Sequence, residues 1–218
     1  MPIGEFKRYH KNGVVKELMV FDTKDQKKVY VKYFDSTNEL AAEGFFYDKK
    51  RDSVWKYYGQ KAILCAEERY VKGVKHGVKK KFYEDGKTPV EEIWYKNGKL
   101  DGPWLRYYQN GKLRMKTQHI NDKREGPFYS YTSEGIITLI GHYKNDLNDG
   151  IWQFFDEKTG KQIKTMKFIK GHAENELELD RALAKELEEA EKNKGKFQDP
   201  QNMIGSPLNT ISPGSFGY

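Results

Sequence analysis

The sequence predicts an all-β protein: an elongated, single-layer antiparallel sheet of about seven tandem hairpin repeats, then one C-terminal α-helix and an irregular tail. Three observations predict it. A motif recurs every 24 or 25 residues, each recurrence carries glycine-bearing turn dipeptides, and the chain is poor in aliphatic but rich in aromatic side chains.

The recurrence appears when the segments starting at Gly77 (GVKKKFYEDG), Gly102 (GPWLRYYQNG), Gly126 (GPFYSYTSEG) and Gly150 (GIWQFFDEKTG) are aligned. Stepping back at the same interval reaches Ser53, Val29 and Gly4. Units therefore begin near 4, 29, 53, 77, 102, 126 and 150, and the array spans 1–171. Two residues after each start stands a large side chain, Phe6, Val31, Trp55, Trp104, Phe128 or Trp152; Lys79 alone breaks the rule. Three residues further on a ring is invariant, as Tyr9, Phe34, Tyr58, Phe82, Tyr107, Tyr131 and Phe155. A turn glycine follows in most units (Gly13, Gly86, Gly111, Gly135, Gly160), and Ala62 stands at one such place. A third ring precedes the next start by seven residues, as Phe46, Tyr70, Tyr95 and Tyr143, with His119 there once. The aromatics expected to pack the repeats together are Tyr9, Phe34, Trp55, Tyr58, Phe82, Trp104, Tyr107, Tyr131, Trp152 and Phe155.

Each unit reads as one hairpin. Asn12-Gly13, Asp85-Gly86, Asn97-Gly98, Asn110-Gly111, Asp101-Gly102 and Asp149-Gly150 accept the positive φ of tight turns. The runs between them, such as Leu113-Arg114-Met115-Lys116-Thr117, alternate apolar and polar and are too short for stable helices. Two strands per unit give roughly fourteen strands and a sheet about 65 Å long at about 4.8 Å per strand. One hairpin cannot bury its rings alone, so each unit leans on its neighbours.

A unit reading G-x-[WF]-x-x-[YF]-x-x-x-G…Y-x-x-G-x-x-x-G resembles the MORN repeat (membrane occupation and recognition nexus). More closely it resembles the bacterial variant in proteins labelled YwqK-type antitoxins. YKNGKLDGPWLRYYQNG and YKNDLNDGIWQFFDEKTG carry the resemblance best, and it covers about residues 4–171. The first three units depart from it, with Val29 and Ser53 in place of the leading glycine. The resemblance implies an elongated antiparallel sheet that serves as a scaffold or interaction surface.

The segment after the repeats differs in kind. Residues 172–195, with AENELELDRALAKELEEAEKNK as their body, read as an amphipathic helix. Acidic residues crowd its start and lysines its end, as the helix dipole favours. Leu177, Leu183 and Leu187 lie on its apolar side. Residues 196–218 are rich in Gly, Ser, Asn and Pro and read as irregular, yet they carry spaced apolar anchors: Phe197, Met203, Ile204, Leu208, Ile211, Phe216 and Tyr218. The helix either caps the sheet edge or docks on another protein.

Composition excludes several classes. Hydrophobic residues are 37% of the chain, charged residues 33% and aromatics 14%, which is lean for a thick core but too aromatic for a disordered chain. A single Cys65 allows no intrachain disulfide and no zinc site built on thiolates. In the expected strand between Leu64 and Ala66 it reads as a small packed residue. No two of His10, His76, His119, His142 and His172 have short metal-ligand spacing, and His119 and His142 should point to opposite faces. No phosphate-binding loop, nucleophile elbow or metalloprotease motif occurs. Asp52, Asp101, Glu125 and Asp149, before the leading residue of their units, are explained by turn chemistry. No catalytic residue, metal or cofactor is assigned.

The expected function is a non-enzymatic scaffold that binds a partner protein through its sheet face, its C-terminal helix and tail, or both. Two further readings remain. Residues 1–171 hold 34 Lys and Arg against 23 Asp and Glu, and 172–218 hold 5 against 9. Lysines interleaved with rings could seat anionic membrane lipid. The simpler account puts lysines on a solvated face and rings on a packed one, and nucleic acid is disfavoured. The second reading is an antitoxin-like partner of a toxin. No stretch is long enough to span a membrane. The single cysteine fits the cytoplasm, while the immediate entry into repeat sequence suggests a bacterial protein exported to the cell envelope with its leader removed.

Overall fold

The computed structural model describes residues 4–174 and 176–192, with the side chains of 176–180 left undescribed. The chain divides into two units between Glu174 and Asn175. The first is a sheet of short strands. They are β1 (Glu5–Tyr9), β2 (Val15–Phe21), β3 (Lys28–Phe34), β4 (Leu40–Tyr47), β5 (Lys50–Tyr58), β6 (Leu64–Val71), β7 (Val74–Lys75), β8 (Gly77–Phe82) and β9 (Pro89–Lys96). After these come β10 (Lys99–Tyr107), β11 (Leu113–Ile120), β12 (Lys123–Arg124), β13 (Gly126–Tyr131), β14 (Ile137–Lys144), β15 (Leu147–Asn148), β16 (Gly150–Phe155), β17 (Gln162–Ile169) and β18 (His172–Ala173). All pairings are antiparallel and join near neighbours in sequence, as the predicted run of hairpins requires.

Two turns alternate along the sheet. One follows the invariant ring. At Tyr131 the amide of Thr132 donates to Ile136 O at 2.8 Å and that of Gly135 to Thr132 O at 3.0 Å, with Gly135 at φ 95°. A type I turn closed by a left-handed residue explains the glycine there. Asn38 (φ 70°) and Ala62 (φ 51°) hold the same place in the second and third units. The other turn has two residues, both at positive φ: Asp48-Lys49, Lys72-Gly73, Asn97-Gly98, Asn121-Asp122, Asn145-Asp146 and Lys170-Gly171. This is the type I′ geometry that matches strand twist.

The leading residue of the unit is not in a turn. Gly77, Gly102, Gly126 and Gly150 lie in strands at positive φ, and Ser53 does so at φ 59°. The register slips there; beside Gly102, for example, it passes from Leu100↔Tyr95 to Trp104↔Ile93. Asp101-Gly102 and Asp149-Gly150 therefore form β-bulges, which sharpen local twist, and not the expected turns. The acidic residues before them act at a distance. Asp52 accepts from the Lys72 amide at 3.1 Å and Glu125 from the Asn145 amide at 2.8 Å, each fixing the next type I′ turn.

The second unit contains α1 (Glu176–Lys192), a helix that starts later than the expected 172–195. His172 and Ala173 instead pair with Ile169 and Phe168 as β18. Lys170-Gly171 continues the turn pattern, so hairpin hydrogen bonds capture these two residues first. Among the described residues, no helix is long and apolar enough to cross a membrane.

Candidate functional site

Pairing register assigns the rings within the strands to faces. The residues two after each unit start form a spine with their cross-strand partners: Phe6↔Met19, Met19↔Val31, Val31↔Gly44, Trp55↔Glu68, Lys79↔Ile93, Trp104↔Thr117, Phe128↔Gly141 and Trp152↔Met166. This is the packed face. Trp55 is 1% exposed, Trp152 5% and Tyr143 8%. Phe128, Tyr143 and Trp152 form one ring cluster, with Phe128 and Trp152 stacked at 5.7 Å. The spine is tight because small residues face the large rings. A Cβ on Gly141 would lie 2.4 Å from the Trp152 ring, and one on Gly44 2.5 Å from Trp55.

The invariant ring three residues on lies on the opposite face, because an odd spacing along a strand reverses the side. There the Tyr58 hydroxyl donates to Glu43 at 2.6 Å and the Tyr107 hydroxyl to Glu92 at 3.2 Å. Burial pushes the Tyr107 hydroxyl up to about 12, with the Glu92 carboxylate adding to it. Phe34, Phe82, Tyr131 and Phe155 are half-buried, and Tyr9 in β1 is 59% exposed. Trp94 pairs with Val78 on this same side.

Lysines share that second face but are not free. Register alternates Lys32, Glu43, Lys56, Glu67, Lys80 and Glu92 across successive strands. Lys80 reaches Glu92 at 2.9 Å and Lys32 reaches Glu43 at 3.9 Å. The expected division into a lysine face and a ring face is thus replaced by rings on both faces, with a lysine–glutamate ladder along one.

Among the described residues the spine itself is broken by charge at one place, and the same face also carries the ion pairs Arg8–Glu17 at 3.3 Å and Lys81–Glu91 at 3.6 Å. Glu68 and Lys79 stand in the spine where other units place a ring or a small or uncharged residue. They meet at 3.2 Å, and Lys75 reaches Glu68 at 3.0 Å. The Tyr70 hydroxyl also donates to Glu68, and that of Tyr57 lies 3.4 Å away. Burial opposes ionisation of Glu68, but Tyr70, Lys75 and Lys79 outweigh it and hold the carboxyl at about 2. Beside them the Arg51 guanidinium lies 4.7 Å from the Trp55 ring and 5.6 Å from that of Tyr70, and donates to the Tyr70 hydroxyl at 3.3 Å. Lys75 lies over Tyr95 at 5.4 Å. Arg124 repeats this cation-over-ring arrangement on Tyr143 at 4.1 Å, but it is paired with Asp146 at 3.3 Å. Arg51 faces no carboxylate at ion-pair distance among the described residues. In the sequence Lys79 stands out as an exception and Glu68 does not; a charge in the spine row is the signal.

His119 takes a ring position on the packed face, 4% exposed and 5.4 Å from the Trp104 ring, while His142 is exposed on the other, as their phase predicts. Burial lowers the His119 pKa. Cys65 is exposed, not packed, with its thiol 3.3 Å from Tyr57 O, because it points to the face opposite Trp55. Among the described residues no group of three or more His, Cys, Asp or Glu could hold a metal ion. An open depression is lined by Ile120, Asn121, Lys123, Glu125 and Asn145 at the type I′ turns.

Of the expected partner-binding residues, Leu183 and Leu187 project from α1 at 52% and 59% exposure. Leu177 is in α1 with its side chain outside the described set. Phe197, Met203, Ile204, Leu208, Ile211, Phe216 and Tyr218 lie outside the described residues.

The comparisons agree with this geometry where they reach it. The family described as MORN repeat variant matches residues 2–22 and 100–121. A MORN-repeat motif is present. The matched segments are the first hairpin and the β10–β11 hairpin, both built on the two-sided ring pattern. No curated protein matches. Among solved structures the chain is similar to the pneumococcal O-GlcNAc transferase GtfA in complex with UDP and GlcNAc, at 22% identity and a TM-score of 0.30. That match covers 52% of this chain and 21% of that one, and so weak a structural likeness carries no argument about fold or chemistry.

Proposed function

We propose that this chain is a non-enzymatic repeat scaffold, of the bacterial variant found in YwqK-type proteins, that holds a partner protein on the packed face of its sheet. One observation carries the reading. Nearly every prominent residue recurs once per unit and is accounted for by packing, whereas the Glu68–Lys79 pair occurs once and interrupts an apolar spine. Ions placed where rings would fit add little stability, so a specificity role is the reason to have them. The half-buried Tyr57 and Tyr95, lying beside the buried Trp55 and Tyr70, offer aromatic surface of the kind protein interfaces favour. The lipid reading is weaker, because most lysines of the other face's central row lie opposite glutamates.

Photo-crosslinking in the native cell tests this. A benzoylphenylalanine replaces Tyr57 on the packed face, Tyr129 on the other face, or Leu183 on α1. The reading requires a protein adduct from position 57. Adducts from 129 or 183 alone would overturn it. An adduct that proves to be a toxin would establish the antitoxin form of the same scaffold.

A further inference from the structure

Around the Glu68–Lys79 break the packed face carries more cations than carboxylates: Arg51, Lys75, Lys79 and Lys81 against Glu68 and Glu91, of which Glu91 is paired with Lys81 at 3.6 Å. One carboxylate, Glu68, serves two ammonium groups at 3.0 and 3.2 Å, and the neighbouring Arg51 guanidinium contacts only rings and a phenol. These cations are held, not waving. Arg51 is fixed over Trp55 and Tyr70, Lys75 over Tyr95, and the Lys75 and Lys79 side chains are only 35% and 21% exposed. Cations already part-desolvated on ring faces bind a carboxylate more strongly than solvated ones and lose less side-chain entropy. They present donors beside the half-buried rings of Tyr57 and Tyr95, so a bound segment would place acidic groups on the cations and apolar groups on those two rings. Elsewhere on the sheet the equivalent cation, Arg124, is already matched by Asp146 at 3.3 Å.

From this we infer that Arg51, Lys75 and Lys79 form a carboxylate-reading site, and that the partner segment it takes is an extended acidic peptide with alternating apolar residues. This rests on the scaffold reading above and names the chemistry of its partner.

The probe is a fluorescein-labelled decapeptide alternating glutamate and leucine, with its glutamine–leucine counterpart as control, titrated against the full chain by anisotropy. The glutamate peptide should bind at least about tenfold more tightly than the glutamine one, and raising salt from about 0.05 to 0.5 M should remove the difference. Arg51→Gln with Lys75→Gln should weaken glutamate-peptide binding about tenfold or more, while the circular-dichroism spectrum stays that of the folded parent at the assay temperature. Lys32→Gln with Lys80→Gln, on the ladder face, should leave it within about twofold. Equal binding of the two peptides, equal binding by the Arg51/Lys75 variant, or equal loss in the ladder variant would each overturn the site. A parallel arm uses phosphatidylserine vesicles; vesicle binding that the Arg51/Lys75 variant abolishes, without peptide binding, would reassign the site to lipid and also overturn it. If position 57 still crosslinks a partner after the peptide result is negative, the scaffold reading stands and only its acidic partner falls.

Discussion

At the residue scale the sheet depends on where a Cβ is absent. Gly141 lies under the Trp152 ring, and a methyl group there would approach to 2.4 Å a side chain that is 5% exposed. A buried indole has nowhere to go, so Gly141→Ala should cost about 2 to 3 kcal/mol in urea denaturation. Ser53 shows the converse. It holds φ 59° where four other units carry glycine in strands at positive φ, so Ser53→Gly should relieve backbone strain and gain about 0.5 to 1 kcal/mol by the same measurement. His119 adds a pH dependence. Burial depresses its pKa below the usual 6.5, so the unfolded chain takes up a proton that the folded one refuses. The stability it contributes is complete above about pH 6.5 and is lost as pH falls through the folded value. His119→Phe should flatten the fall in melting temperature between about pH 7 and pH 5.

At the element scale the hairpins are specified twice over, by turn chemistry and by side chains that reach the next unit. Tyr83 and Tyr108 donate to Tyr107 O and Tyr131 O at 2.8 and 2.7 Å, and His10 Nε2 lies 2.9 Å from Phe34 O, each about 24 residues away. The repeat period is therefore also a hydrogen-bond period, which the ring pattern alone did not reveal. The Glu68–Lys79 break sits on this frame without being needed by it. Replacing both residues with leucine should leave stability within about 1 kcal/mol of the parent, whereas Glu68→Gln, which strands two part-buried lysines, should cost about 2 kcal/mol. The double variant should fold yet lose the crosslink at position 57. Glu68 ionised contributes stability that is full above about pH 4.5 and lost as pH falls towards about 2, so the Glu68→Gln penalty should shrink in acid.

At the scale of the whole sheet, pairing runs only between near neighbours in sequence. Stability should then be nearly a sum over units and the interfaces between them, and damage should stay local. In Gly141→Ala, amide hydrogen exchange should accelerate in β13 to β17 while β2 to β5 keep their protection. Uniform acceleration would mean that the sheet unfolds as one cooperative body.

The sequence by itself determined the hairpin repeat, its period, its strands and most of its turns, because these follow from local backbone preference and from rings spaced for stacking. It also determined that His119 and His142 face opposite ways, since that needs only the two-residue period of a strand. What tertiary structure decided was register. The bulge at Gly77 shifts the pairing from Tyr70↔Lys75 to Glu67↔Lys80 and so carries Lys79 opposite Glu68. A turn dipeptide and a bulge dipeptide look alike in one dimension, which is why Asp101-Gly102 read as a turn and why Lys79 read as a blemish. Composition makes the body basic, but only the cross-strand ladder shows that most of the charge in its row is answered, while Lys75 and Lys79 share one carboxylate and Arg51 has none at ion-pair distance among the described residues.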